Sequence, residues 1–523
     1  MADSQGPATI ESLFARYGPN YRWLVTITAI MGTVATVLTA TIVNVALPDI
    51  MGTFGMSQDQ VQLLSTAFLA AMTGTMLLNA WLVDSFGQRA TFTATLAVFI
   101  AASLLGGVAP NDSLLVLARI LQGGASGILQ PLAMQVVYQV FPPEKRGMAM
   151  GIYGFGVVLA PAVGPALGGM MVDNFSWRYV FFLAVPFCAV GLLLGLLFMP
   201  GRAGSEPIRR FDWAGFGLLS LALVTLLDGL SHGQRDGWQS HRVLVDFVLA
   251  AATGIGFIAW ELRTPTPLLN PRLFTNRVFA SASLVSLIFG AGLFGSTYLI
   301  PLFVQTIQGY TPTNSGLLLI PAGLMLALTF PVAGRLTDLA PAYAITVVGL
   351  LLFAVSSFLM TRADIDTPFW HLVWWIVIGR IGLALVIPAV SAGALKALPL
   401  TLLSQGSGAI SFMRQFGGAL GVNLLSIALE RRTQFYVDTF ASAQHAGNGA
   451  TLDLLQRIGA VLSQSDLPTT LLEAGALHYV GQMVYVQGNT LGYRDSHFIV
   501  GAFFMAALLP ALLMRQRRHA SAA

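Results

Sequence analysis

The sequence predicts an all-α integral membrane protein of two six-helix bundles with two further helices inserted between them, fourteen transmembrane helices in all. Three observations carry that prediction. The 523 residues are 55% hydrophobic and only 10% charged, with a mean hydropathy of +0.73, whereas soluble domains carry about 25% charged residues. Apolar runs of about 20 residues, the length a helix needs to cross the hydrocarbon core, recur along the chain. Short motifs from the first half return, degenerate, in the second.

In order, the runs lie near 23–48, 60–82, 91–109, 114–138, 147–171, 178–199, 212–230, 241–261, 278–307, 314–337, 342–361, 370–395, 405–429 and 496–515. The start, "MADSQGPATIESLFARYGPNYRW", is polar and lacks a short apolar core with a small-residue cleavage site, so the first run reads as a retained helix. Proline and paired glycine interrupt several runs, as in "LIPAGLMLALTFPVAG"; membrane helices tolerate this where a neighbour or a cavity satisfies the freed backbone. An even count puts both termini on one side. Of the 27 Lys+Arg, 16 fall in loops on that side, among them Arg209, Arg517 and Arg518, against 4 in the short loops opposite. The positive-inside rule makes the terminal side cytoplasmic. Those juxtamembrane arginines account for the net charge of +4 without a nucleic-acid partner. The stretch 430–495 faces outward between the last two spans, and its "DLLQRIGAVLSQ" and "TLLEAGALHYVGQMVYVQGN" have helical periodicity, fitting a capping helical hairpin or a docking surface for a partner.

"AWLVD" at 80–84 returns as "GRLTD" at 334–338, and "LARILQG" at 117–123 as "IGRIGLA" at 378–384, with Pro131 and Pro388 following the two arginines. The chain therefore divides into an N-terminal six-helix bundle (1–200), two inserted helices with linkers (201–274) and a C-terminal bundle (275–523). Paired halves around a midplane site are a transporter plan, and no nucleophile–base cluster suggests an enzyme. "GIYGFGVV" has no strand before it, so it is not a nucleotide loop. Cys188 is the single cysteine, and the seven histidines lie in loops or near span ends without paired spacing. No metal site is expected.

These residues carry a family resemblance over nearly the whole chain. "LVDSFGQR" (82–89) resembles the loop motif after the second helix of the major facilitator superfamily, and "RILQGGASG" (119–127) its fourth-helix motif. "LAPAVGPALGG" (159–169) resembles the fifth-helix motif of exporters, and "TATIVNVALP" (39–48) the first-helix signature of its fourteen-span drug:proton antiporters of the EmrB/QacA type. The resemblance implies the major facilitator fold in a bacterial inner membrane. It also implies efflux of small amphiphilic molecules coupled to protons, with no other cofactor, and pairing with a periplasmic, EmrA-like adaptor and an outer-membrane channel. One residue departs from the pattern: Thr39 stands where the family places its first-helix aspartate.

Candidate residues follow. Gly164, Pro165, Gly168 and Gly169 permit close helix approach and a bend. Asp84 and Asp338 end helices on the cytoplasmic side, where carboxylates pair with arginines or helix N-termini in one conformation and release in another; Arg89 is a natural partner in the first half. Arg119, Arg380 and Arg414 lie within spans. Arg119 either caps carbonyls at a broken helix or borders the cavity and biases a nearby carboxylate. Asp228 is the deepest acid left, a coupling group or a structural one. Thr39, Asn44, Gln122, Gln130, Phe294, Tyr298, Gln305, Phe412 and Gln415 are candidates to line an amphiphilic cavity, since polar groups in spans face inward. The cationic interior also allows export of an endogenous organic anion, such as a siderophore or fatty acid, and a non-transporting sensor is a further alternative.

Overall fold

The computed structural model describes residues 9–202, 210–445, 447–464 and 471–515, without the side chains of Asn44 and Pro165 among others. Arg209, Arg517 and Arg518 lie outside the described residues. The regular elements there are helical: α1 (Ile10–Tyr17), α2 (Tyr21–Phe54), α3 (Gln58–Thr75), α4 (Leu78–Gly107), α5 (Asp112–Val140), α6 (Arg146–Asn174), α7 (Tyr179–Phe182), α8 (Val185–Phe198), α9 (Trp213–Asp236), α10 (His241–Glu261), α11 (Arg277–Thr306), α12 (Pro312–Leu339), α13 (Ala342–Met360), α14 (Phe369–Lys396), α15 (Leu403–Ala443), α16 (Gly449–Leu462), α17 (Leu472–Ala506) and α18 (Leu508–Leu513).

Local chemistry sets where they start and stop. Asn111 accepts a hydrogen bond from the Leu114 amide at the head of α5, and Ser57 with Gln60 forms a capping box on α3. Within spans, threonines such as Thr33 and Thr39 donate to carbonyls four residues back, which hides a hydroxyl from lipid. Gly87, at φ 82°, breaks α4. A Cβ there would lie 2.8 Å from the Arg202 side chain, so the loop needs glycine.

Ten helical stretches among the described residues are long and apolar enough to cross a membrane. The other predicted runs, 60–82, 114–138, 147–171 and 405–429, fall on α3–α4, α5, α6 and α15. The outward stretch 430–495, read as a helical hairpin or a docking surface between two spans, is largely helical, and its helices are continuous with the spans. α15 continues to Ala443 and α17 begins at Leu472, because hydropathy marks where apolar residues stop, not where backbone hydrogen bonding does. With 41 residues, α15 is about 60 Å long, twice the roughly 30 Å hydrocarbon core.

The first half packs α2 against α5, α6 and α8, with α3 and α4 against α5; the second packs α11 with α15, α13 with α14, and α15 with α17. Two seams join the halves: α6 against α12 and α14, and α15 against α3, α4 and α5. The inserted pair, α9 and α10, leans on α3 and α15. Carboxylates pin both of its ends. Asp212 accepts from the Gly215 amide and from Trp260 Nε1, and Asp228 pairs with Arg242 at 3.1 Å and with His232 at 3.3 Å.

Candidate functional site

Arg119 is fully buried on α5. Its Nε donates to the Leu64 carbonyl of α3 at 3.0 Å, and its Nη1 to the Thr39 carbonyl of α2 at 3.3 Å and to Gln122 Oε1 at 3.1 Å. The guanidinium lies 4.2 Å from the centre of the Phe68 ring, and Gln122 Nε2 passes the network on to Ser103 of α4. Hydrogen bonds to a charged group contribute about 1.5–3 kcal/mol each, so three exceed the roughly 2.5–3.5 kcal/mol that insertion scales assign to a central arginine. The acceptors are two carbonyls and an amide. Thr39 meets the arginine through its backbone, and no carboxylate stands among these partners. The arrangement ties four helices of one half together.

Arg380, the repeat counterpart, is held differently. Its Nη2 donates to Thr297 Oγ1 at 3.4 Å, and Leu383 takes the place that Gln122 has in the first half. Arg380 lines a small cavity with Ser296, Ser356 and His497. His497 was expected near a span end. It is instead 3% exposed inside α17, because that helix runs unbroken from Leu472. Arg414 lies on α15, and Tyr153 of α6 donates from its Oη to the Gln130 carbonyl. Tyr153 escaped the sequence reading; its only signal was a lone phenol in the glycine-rich "GIYGFG".

The seams close at the end that carries the predicted cytoplasmic loops. Asp338 Oδ1 and Oδ2 accept from the backbone amides of Gly147 and Met148 at 2.6 and 2.8 Å, so a carboxylate of the second half caps the N-terminus of α6 in the first. The helices nearly touch there: a Cβ on Gly334 would lie 2.8 Å from the Gly147 carbonyl oxygen, and one on Gly151 2.9 Å from Gly334 Cα. On the other seam Asn79 Nδ2 donates to the Ser404 carbonyl at 3.3 Å, and a Cβ on Gly408 would lie 2.9 Å from the Met76 carbonyl oxygen. Arg89 donates from Nε to the Met199 carbonyl and from its backbone amide to that of Pro200, securing the loop to the end of α8. Asp84 is half-buried.

Further along α6, Gly164 and Gly168 face α2. A Cβ on either would lie 2.6 Å from Thr41 Oγ1 or 2.7 Å from Ile42 Cγ1, whereas Gly169 has ordinary room. α6 is continuous through Pro165. The remaining cavity candidates scatter. Phe294 packs on Gly418, and Tyr298 Oη lies 3.4 Å from Ser426 Oγ. Gln305 Nε2 donates to Ser315, Gln415 is buried, and Phe412 stacks on Phe416 in a cluster with Phe68, Leu219 and Phe257. Asp228 sits inside the inserted pair, away from the seams. Among the described residues no three His, Cys, Asp or Glu cluster as metal ligands.

Residues 16–422 match the Major Facilitator Superfamily. The chain is 30% identical to the Multidrug resistance protein B homolog of Mycobacterium tuberculosis, over 91% of this chain and 88% of that one. It is 27% identical to the Multidrug export protein EmrB of Haemophilus influenzae, over 93% and 94%. Its fold is similar to that of the human organic anion transporter MFSD10, with a TM-score of 0.61 at 14% identity, over 94% of this chain and 99% of that one. Two helical halves meeting at glycine-lined seams, with buried arginines where an enzyme would need a reactive cluster, agree with that match: the chain belongs to the major facilitator superfamily and is a membrane-spanning transporter rather than an enzyme.

Proposed function

We propose that the protein exports amphiphilic drugs or toxic organic compounds across the bacterial inner membrane. It exchanges them for protons by alternating access, with fourteen spans and both termini in the cytoplasm. The character of the seams supports the reading. Beside an apolar cluster that holds Phe68 and Phe412, the halves meet there through a carboxylate on a helix N-terminus, Asn79 bonds to Ser404 and Ser407, and bare glycine backbone. Polar contacts of this kind can be exchanged for water when a seam opens, as alternating access requires. The multidrug relatives support the substrate class. The extramembrane helices α16 and the start of α17 are the surface on which an adaptor leading to an outer-membrane channel would rest. A second reading, export of an organic anion, is favoured by Arg119 and Arg380, buried cations with no carboxylate among their hydrogen-bond partners.

The test is transport in proteoliposomes under an imposed pH gradient, with ethidium as organic cation and anilinonaphthalene sulfonate as organic anion. Accumulation of ethidium that collapses with a protonophore supports drug export. Accumulation of the sulfonate alone moves the assignment to the anion reading, and gradient-insensitive movement of both removes the proton from the mechanism.

A further inference from the structure

A proton-coupled carrier needs a group whose proton occupancy differs between its two conformations. With Thr39 in the first helix and Asp228 held inside the inserted pair, that group must be sought elsewhere, and the asymmetry between the two repeat arginines points to it. Arg119 is held by carbonyls and an amide through Nε and Nη1, with Nη2 buried and without a partner. Arg380 lines a small cavity with room for about one water. His497 lines the same cavity, 3% exposed, with its Nε2 buried and without a hydrogen-bond partner.

The surrounding chemistry suits a proton more than a bound solute. Ser356 Oγ donates to the Trp375 carbonyl and Ser296 Oγ to the Leu293 carbonyl. Their hydrogens are therefore committed, and they offer the cavity lone pairs that an Nε2–H can use. Arg380 is the other ionisable residue that lines this cavity. The other charged and titratable groups of this stretch of α17 turn away: Tyr493 to Thr306 of α11, Arg494 to the Ala363 carbonyl and Asp364, Asp495 to Arg432 and Tyr436 of α15.

We infer that His497 carries the coupled proton, accepting it at Nε2 from water on one side when the Arg380 cavity opens, and returning it to water on the other when the cavity closes against the guanidinium. Closure brings two positive charges together in a low-dielectric space, so the closed cavity expels the proton. Histidine suits this work because its ordinary titration range lies near the pH values across which such a carrier operates. The inference rests on the proton-driven reading above.

The experiment compares wild type, His497→Gln and Arg380→Gln in proteoliposomes with ethidium. One readout is accumulation driven by a pH gradient; the other is gradient-free exchange between about pH 5 and 8. Accumulation by His497→Gln is expected to fall at least tenfold while its exchange persists and loses its pH dependence. Arg380→Gln should move the midpoint of the exchange profile to higher pH by about one unit or more, since an adjacent cation no longer opposes the proton. A His497→Gln protein that accumulates ethidium with an unchanged profile overturns the inference. If that variant loses exchange as well, an unmoved profile in Arg380→Gln overturns it and an alkaline shift upholds it. A wild type that never accumulates ethidium removes the proton-driven reading itself.

Discussion

Arg119 and Asp338 are both charged groups at helix junctions, but they do opposite things. Arg119 is bonded within one half, so its removal should loosen that half in every conformation. Arg119→Ala is expected to lower stability by about 3 kcal/mol, from lost hydrogen bonds and a new cavity, read as a drop in thermal unfolding temperature in detergent. Arg119→Lys should lie between, since an ammonium keeps the charge but cannot reproduce the fork or the stack on Phe68. Exchange and accumulation should fall in parallel; loss of accumulation alone would place the residue in the coupling machinery instead. Asp338 is bonded across the seam. Asp338→Asn should cost the closed arrangement about 1–2 kcal/mol, a five- to thirty-fold loss of its population. Disulfide crosslinking across the α6–α12 seam, in a Cys188→Ala background, checks this. At this scale the sequence revealed that an interior arginine must have partners, but not that they would be carbonyls. Backbone acceptors leave no mark in the side-chain pattern, and the same blindness hid the cavity beside His497.

α6 uses its glycines on two faces. Gly147 and Gly151 press against Gly334 of α12, and Gly164 and Gly168 against α2. Branched side chains at the two places should therefore have different consequences. Gly334→Val would drive a methyl into backbone and part the seam; crosslinking there should drop severalfold while thermal stability changes little. Gly164→Val would meet Thr41 within the first half and lower the unfolding temperature without opening the seam, as the same two assays would report. The motif "LAPAVGPALGG" made close packing legible, because bare backbone is the only thing a glycine can offer a neighbour. Which neighbour it met was not legible: sequence spacing fixes a face of one helix and says nothing of what lies opposite. The boundaries of α15 and α17 were lost for a related reason. Residues 430–443 and 472–495 turn polar, which ends a hydropathy run, yet α15 and α17 continue through them.

For the whole molecule, the repeats "AWLVD"/"GRLTD" and "LARILQG"/"IGRIGLA" revealed a chain of two related halves. Repetition alone did not reveal how far the copies have diverged: an arginine held by carbonyls and an amide in one and an arginine lining a small cavity in the other follow from single exchanges such as Gln122 for Leu383. The seams close at one end, and conversion to the opposite arrangement must break the Asp338 and Asn79 contacts together. Asp338→Asn and Asn79→Ala should therefore be non-additive when combined, coupling by about 0.5 kcal/mol or more, measured as crosslinking yield across both seams. One consequence concerns α15. Its Ser404 end accepts from Asn79 at the closing seam, and the same unbroken rod continues about 60 Å to Ala443. A rod of that length is a lever: tilted by about 10°, its far end travels about 10 Å. The tip would thus signal which way the interior faces, and anything resting on α16 could follow the cycle without touching the cargo.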